Sequence, residues 1–267
     1  MTDLGIRLEA LFETARPPHL ELPDELEAAY GGPFHLPEQV VYANFVSSID
    51  GVAAIAGVEM SSAAISGGAP SDRFVMALLR AVADVVVVGS GTLREHGGPW
   101  TAERAFPDAA DAFRRARAAL SPDEAPTLVV VTASGDLPPD HPALETAVVI
   151  TTTSGARAIA HAKIRCADVI DLGDHDQVGA GDAIGRLRER GHRRILTEGG
   201  PKLMGSMLEA SAVEQLFLTI SPKLIGGASD RAPLTNGTDL LDRTSGATLL
   251  SLRRAENHLF LRYELPV

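Results

Sequence analysis

A lone cysteine, Cys166, is all the thiol in this chain of 267 residues. One cysteine excludes an intrachain disulfide and any zinc site built on paired cysteines. Beside Ala167-Asp168-Val169-Ile170 it reads as a small core filler rather than a nucleophile. The eight histidines never fall at His-x-x-x-His spacing, so no metal-dependent mechanism is expected. No apolar run reaches 18 residues, which predicts no membrane-spanning helix. The first fifteen residues intersperse Asp3, Arg7, Glu9 and Glu13 and lack the unbroken apolar core of a signal peptide, so a cytoplasmic location is expected. Positive charge is scarce as well: 24 Lys and Arg face 35 Asp and Glu, a formal net charge of −11. Binding to nucleic acid or to an anionic membrane needs clustered cations and is not expected. Small anionic ligands remain open, because a helix terminus outweighs global charge at short range.

What the chain does have is 45% hydrophobic residues, enough for one substantial core, and two glycine-rich turns that each follow an apolar run. Val85-Val86-Val87-Val88 fits a strand buried on both faces, and Gly89-Ser90-Gly91-Thr92 follows at once. Glycines there let backbone amides and the Thr92 hydroxyl approach a phosphate. The third glycine of the dinucleotide fingerprint is missing. Ile195-Leu196 leads likewise into Thr197-Glu198-Gly199-Gly200-Pro201-Lys202-Leu203-Met204-Gly205-Ser206. Pro201 suits a first helical turn, and a helix starting there aims free N–H groups at an anion. Two such turns predict one ligand lying across the strand ends.

Along the chain, residues 1–37 read as an attached arm, with Leu8, Leu11 and Phe12 on one face of a short helix that Arg16-Pro17-Pro18 ends. Residues 40–47 read as the first strand, and Ser48-Ile49-Asp50-Gly51 as a turn. A helix from Pro70 carries Phe74, Val75, Leu78, Leu79 and Val82 on one face. Residues 108–120 read as a charged helix in a surface excursion. Short apolar strands are expected near 128–132, 148–151 and 169–172, and a helix over 182–189. Beyond the helix at 203–208, three strand-like runs follow at 213–220, 247–254 and 258–265. The expected fold is α/β, a mixed and mostly parallel sheet finished by antiparallel C-terminal strands, in a single domain over 38–267.

Placed in order, Ser48-Ile49-Asp50-Gly51, Ile65-Ser66-Gly67, Leu79-Arg80-Ala81, Gly89-Ser90-Gly91-Thr92-Leu93-Arg94, Glu198-Gly199-Gly200-Pro201 and Ile220-Ser221-Pro222-Lys223-Leu224-Ile225-Gly226-Gly227 resemble the reductase domain of bacterial riboflavin biosynthesis. The resemblance runs from about Tyr42 to Leu265. It implies a dihydrofolate-reductase-like three-layer sandwich and a homodimer. It also implies an NADPH-dependent oxidoreductase that reduces the ribosyl chain of a phosphoribosylamino-pyrimidine. Carried over residue by residue, Thr92 and the backbone of Gly89, Ser90 and Gly91 hold the cofactor. Gly199, Gly200, Pro201, Lys202, Leu203, Met204, Gly205 and Ser206 wrap its pyrophosphate, and Thr132 is a further cofactor contact. Val46, Ser47, Ile65 and Ser66 border the nicotinamide, and His96 stands where the family has an acidic residue. Arg80, Arg104, Asp50 and Glu198 contact a small heterocyclic substrate, with Asp50 first and Glu198 second as candidates for proton delivery.

Simpler readings stand beside these. Asp50 suits a carboxylate that ties its own turn. Arg80 suits a cation at a helix C-terminus, and Glu198 a cap for a neighbouring loop. The chain also departs from the family pattern after Thr92. There it reads Glu95-His96-Gly97-Gly98-Pro99-Trp100-Thr101-Ala102-Glu103-Arg104, and Ala43-Asn44 stands where a lysine is expected. The alternatives are therefore a dihydropterin or dihydrofolate reductase, or a non-catalytic nucleotide-binding partner.

Overall fold

The computed structural model describes residues 4–14, 18–121, 123, 125–227, 229–240 and 246–266. Ten strands form one sheet: β1 (Glu9–Glu13), β2 (Val40–Ser48), β3 (Val85–Gly89), β4 (Thr127–Val131), β5 (Val148–Thr151), β6 (Asp168–Asp171), β7 (Arg194–Thr197), β8 (Gln215–Ser221), β9 (Thr248–Ala255) and β10 (His258–Glu264). Their order is β1-β9-β10-β8-β2-β7-β3-β4-β5-β6. From β8 to β6 every neighbouring pair is parallel. From β8 to β1 every pair is antiparallel. The helices are α1 (Asp24–Tyr30), α2 (Ser61–Ser66), α3 (Pro70–Val82), α4 (Ser90–Glu95), α5 (Ala102–Ala105), α6 (Ala110–Leu120), α7 (Thr153–His161), α8 (Ala180–Glu189) and α9 (Pro201–Glu209).

Helices cover both faces, as near-continuous apolar strands require. In β2, Val40 and Tyr42 enter one core while Val41, Ala43 and Phe45 enter the other. Phe74 and Leu78 of α3 join Val86, Val88 and Phe217 in the first core. The Tyr42 hydroxyl donates to the Leu79 carbonyl at 2.8 Å and fixes α3 over β2. On the second face Leu187 of α8 and Met204 of α9 pack on Val85, Val87 and Ile195. A third, smaller cluster joins Val46, Val52, Ile55 and Ile65 under α2.

Residues 4–36 correct the expectation of an attached arm. Glu9–Glu13 is not helical; it pairs antiparallel with β9 and forms the sheet's edge. Leu8, Leu26, Phe34 and Leu36 are at most 1% exposed and lie in the first core. The Leu8 N–H donates to the Ala29 carbonyl at 2.8 Å. Gly31 ends α1 with φ of 82°, and a Cβ there would lie 1.9 Å from the Leu8 carbonyl oxygen. A periodicity argument cannot anticipate an edge strand that borrows its partner from residues 251–254, more than 230 positions away. Residues 110–120 differ too. Phe113 and Ala116 of α6 are buried, and the Phe113 ring lies 6.1 Å from that of Phe74, so this segment is core rather than excursion.

Candidate active site

The parallel strands all end at one edge of the sheet, and the expected turns meet there. Thr197 of β7 sits opposite Val87 of β3, and the Glu198 N–H donates to the Val87 carbonyl at 3.0 Å. The two glycine segments therefore leave the sheet side by side, and the first is not a free turn as expected but the N-cap and opening turn of α4. A Cβ on Gly200 would lie 3.6 Å from the Thr92 hydroxyl oxygen.

The glycines of these turns divide into two kinds. A Cβ on Gly199 would lie 2.4 Å from the Leu203 side chain, so any larger residue there must displace Leu203. At Gly89 and Gly91 a Cβ would meet no atom within 4 Å, and at Gly200 it would meet only Thr92 at ordinary contact distance. Gly89 (φ −86°) and Gly200 (φ −68°) hold backbone conformations open to any residue. Neither internal packing nor strain accounts for these three; they keep a surface clear for something brought close to the backbone. Above that surface starts α9, whose N-cap, Gly200, supplies no side-chain cap. Its first-turn amides stand at the positive end of a nine-residue helix.

Further along α9 the expectation fails. Met204 is fully buried in the second core. Gly205 lies beneath residues 236–238, where a Cβ would stand 2.6 Å from the Thr238 hydroxyl. The Ser206 hydroxyl turns back to the Lys202 carbonyl at 3.2 Å. Met204 and Gly205 are thus taken up by the protein's own packing. Lys202 is exposed at the helix start, and Ser90 opens α4. Thr132 follows β4 and is buried, its N–H donating to the Ile150 carbonyl at 3.1 Å.

Arg80 and Glu198 find each other. The Arg80 Nε lies 3.0 and 3.1 Å from the two carboxylate oxygens and its Nη2 2.6 Å from Oε2. Both side chains are 7% exposed. By alternation with Leu196, Glu198 lies on the α3 face of the sheet. The carboxylate is held by both guanidinium donors as a buried ion pair on that face of the sheet.

Asp50 is a loop tie. Its carboxylate accepts from the Ser48 hydroxyl at 2.5 Å, the Gly226 N–H at 2.6 Å and the Ile225 N–H at 3.2 Å. These bonds hold its pKa at about 2. Such a carboxyl carries no proton to deliver near neutral pH, which corrects the expectation that Asp50 acts as an acid. It also joins the turn after β2 to the loop after β8 rather than bracing its own turn alone.

Among the other expected residues, Val46 and Ile65 form the small apolar cluster beside the cleft. Ser47 donates to the Ser48 carbonyl at 3.1 Å. Residues 65–66 are the last turn of α2, not a loop. The His96 Nδ1 is bonded to the Thr92 carbonyl at 3.0 Å, and its ring lies 5.8 Å from that of Trp100. Arg104 is exposed on α5 with its guanidinium laid across Gly98.

Asp72 escaped sequence reasoning, and Asn44 entered it only as a departure from the family pattern. Asn44 lies between Tyr42 and Val46 on the α3 face by strand alternation, opposite Phe217 of β8. Asp72 stands in the first turn of α3, with Thr219, Ser66, His258 and Glu198 near enough to act on its charge. Burial pushes the Asp72 carboxyl above the ordinary carboxylate range against the pull of Thr219 and His258. The sequence carried a signal for it: Asp72 is in phase with Val75 and Leu79, an acid on the apolar stripe.

Among the described residues no group of three His, Cys, Asp or Glu side chains is placed to hold a metal ion. No helix among them is long and apolar enough to cross a membrane.

The family model described as the RibD C-terminal domain matches residues 39–258. The riboflavin biosynthesis protein PYRR of Arabidopsis thaliana is 25% identical over 159 residues, 58% of this chain and 24% of that protein. The chain thus spans about a quarter of the length of that curated relative. A pyrimidine reductase-like protein from Corynebacterium diphtheriae superposes with a TM-score of 0.68 at 24% identity, covering 91% of this chain and 98% of that one. The riboflavin biosynthesis reductase Rib7 of Saccharomyces cerevisiae gives 0.58 at 15% identity, covering 87% and 93%. Both structural likenesses are of the fold.

Proposed function

Since the chain belongs to the RibD C-terminal domain family, we propose that it is an NADPH-dependent reductase of a phosphoribosylamino-pyrimidine, acting in riboflavin biosynthesis. The observation that carries this reading is the pairing of unexplained glycines: Gly89 and Gly91 on one turn and Gly200 on the next, side by side and free of protein contacts that would require them. A dinucleotide pyrophosphate is the ligand that needs backbone this close, and it seats on the α9 amides. Gly89, Ser90, Gly91, Thr92, Gly200, Lys202 and Leu203 would hold it. When bound, the nicotinamide supplies a hydride.

The chain's own residues supply position and charge. The buried Arg80–Glu198 pair sets a fixed charge pattern on the α3 face of the sheet. Asp50 fixes the two loops that wall its open end. Val46 and the α2 cluster offer an apolar wall against which a planar ring packs. Arg104, turned onto Gly98, leaves the substrate phosphate to other cations; Lys223, in the loop after β8, donates its Nζ to the Ala64 carbonyl of α2 at 2.6 Å and is a candidate for it. Second copies of the chain and a cytoplasmic setting belong to the same reading.

The reading is tested by following NADPH oxidation with 5-amino-6-(5-phosphoribosylamino)uracil and, separately, with dihydrofolate. Turnover of the first alone is expected. Turnover of dihydrofolate alone assigns a pterin reductase, and cofactor binding without oxidation of either assigns a non-catalytic partner.

A further inference from the structure

Resting on the reductase reading, we propose that Arg94 recognises the 2′-phosphate of the dinucleotide, and that its pair with Asp136 sets the preference for NADPH over NADH. Val46 and the α2 cluster, the apolar wall for the nicotinamide, lie at β2, on one side of the paired glycine segments. Strand order puts β4 and β5 on the other side. A dinucleotide whose pyrophosphate sits over β7 and β3 therefore carries its adenosine half across the ends of β3 and β4, strands about 5 Å apart. Gly89 lies opposite Val131, so Ser90 and Thr132 leave the sheet as neighbours. The adenosine end meets α4 and the loop that follows β4.

One ion pair joins these two elements. The Arg94 Nη2 donates to the Asp136 carbonyl and to Asp136 Oδ2, each at 2.6 Å. The side chains are 42% and 80% exposed, so the pair is open to a ligand. Among the described residues the Arg94 Nε and Nη1 have no hydrogen-bond acceptor, which leaves them to phosphate oxygens. The Ser134 hydroxyl, also exposed, accepts from the Asp136 N–H at 3.2 Å and keeps its own proton to donate. The loop is held in place before any ligand arrives. The Thr152 hydroxyl donates to the Ala133 carbonyl at 2.8 Å. Gly135, at φ of 68°, lies so close to α7 that a Cβ would stand 2.2 Å from the Gly155 carbonyl oxygen.

Charge singles out Arg94. A phosphate monoester carries about two negative charges near neutral pH, and the chain's formal net charge is −11. A 2′-phosphate therefore needs a local cation. Arg94 is the only Lys or Arg in 89–98 or in 132–140. The next along is Arg157, exposed on α7 beyond its first turn. Asp136 holds the guanidinium in place and also opposes an incoming phosphate with its own charge. The two members of the pair thus act on a 2′-phosphate in opposite senses.

The measured quantity is the ratio of dissociation constants, NADH over NADPH, from fluorescence titration of the intact protein. Wild type should favour NADPH. Arg94→Gln should lower the ratio on the order of 10–100-fold through NADPH affinity alone. Asp136→Asn should raise it about two- to fivefold, and Arg157→Gln should leave it unchanged. Both substitutions in the pair break the same salt bridge. A merely structural pair would move the ratio the same way in both variants or in neither, and either result overturns the proposal. Calorimetric titration with adenosine 2′,5′-bisphosphate and with 5′-AMP repeats the comparison without a nicotinamide; the bisphosphate's advantage should vanish in Arg94→Gln. A wild type that binds NADPH and NADH equally overturns the Arg94 assignment and leaves the reductase reading standing. A wild type that binds neither overturns that reading and this proposal with it.

Discussion

The Arg80 guanidinium and the Glu198 carboxylate form a bidentate pair, 2.6 Å at its shortest, between the last turns of α3 and the loop opening α9. The pair ties the helix that walls the cleft to the turn that receives the cofactor. Removing one partner strands a buried charge, which costs about 3–5 kcal/mol. Arg80→Ala should lower the melting temperature by roughly 6–20 °C, at 2–4 °C per kcal/mol for a chain of this size. Arg80→Met with Glu198→Met should recover much of that loss while activity stays low. Thermal unfolding of the three variants checks it.

Asp50 and Asp72 should shift stability with pH in opposite senses. The folded pKa of Asp50 is about 2, below the ~3.9 of a free aspartate. Its contribution is complete above about pH 4 and drains as pH falls toward 2. Asp50→Asn should therefore melt lower than wild type at pH 7 and converge with it near pH 2.

For Asp72 the folded pKa is raised, chiefly by burial. The folded chain then binds more protons than the unfolded one across the window above the ordinary carboxylate range, and stability falls as pH rises through it. Asp72→Asn should gain in melting temperature relative to wild type on going from acid to mildly alkaline pH. A gap that is constant with pH contradicts the raised carboxyl.

How much of this was legible beforehand follows from which forces were local. The valine run of β3 and the Gly-Pro opening of α9 are set by residues within a few positions, and strand, turn and helix start all appear where expected. The β1 edge strand and the inward faces of α1 and α6 depend on partners far along the chain, and the composition of 1–37 gave no sign of them. In the site, Arg80 and Glu198 were each visible as residues, but their mutual bond spans 118 positions. Asp50 was visible as a turn residue, but its partners in 225–226 were not. The length of the clear surface on α9 was overread, because residues 236–238 cover Gly205.

Deleting residues 1–37 should abolish folding rather than free a compact domain. Leu8, Leu26, Phe34 and Leu36 are fully buried, each worth about 1.5–3 kcal/mol. Their sum rivals the whole stability of a domain, about 5–15 kcal/mol, and the edge of β9 would also be laid bare. Soluble expression and far-ultraviolet circular dichroism of the truncated chain check this.

Gly205→Val and Gly200→Val should separate packing from binding. At Gly205 the new side chain meets Thr238 and costs about 1–3 kcal/mol of stability. At Gly200 only Thr92 lies near a Cβ, at 3.6 Å, so stability should hold while NADPH affinity falls. Melting curves with and without NADPH distinguish the two.

The most direct measurement is a fluorescence titration of NADPH against the wild-type protein and Gly200→Asp, both shown to be folded. Saturable binding to the wild type, lost when a carboxylate stands between Thr92 and the start of α9, is the predicted result. Binding that survives the substitution, or a wild type that never binds, contradicts the assignment of the paired turns to a dinucleotide.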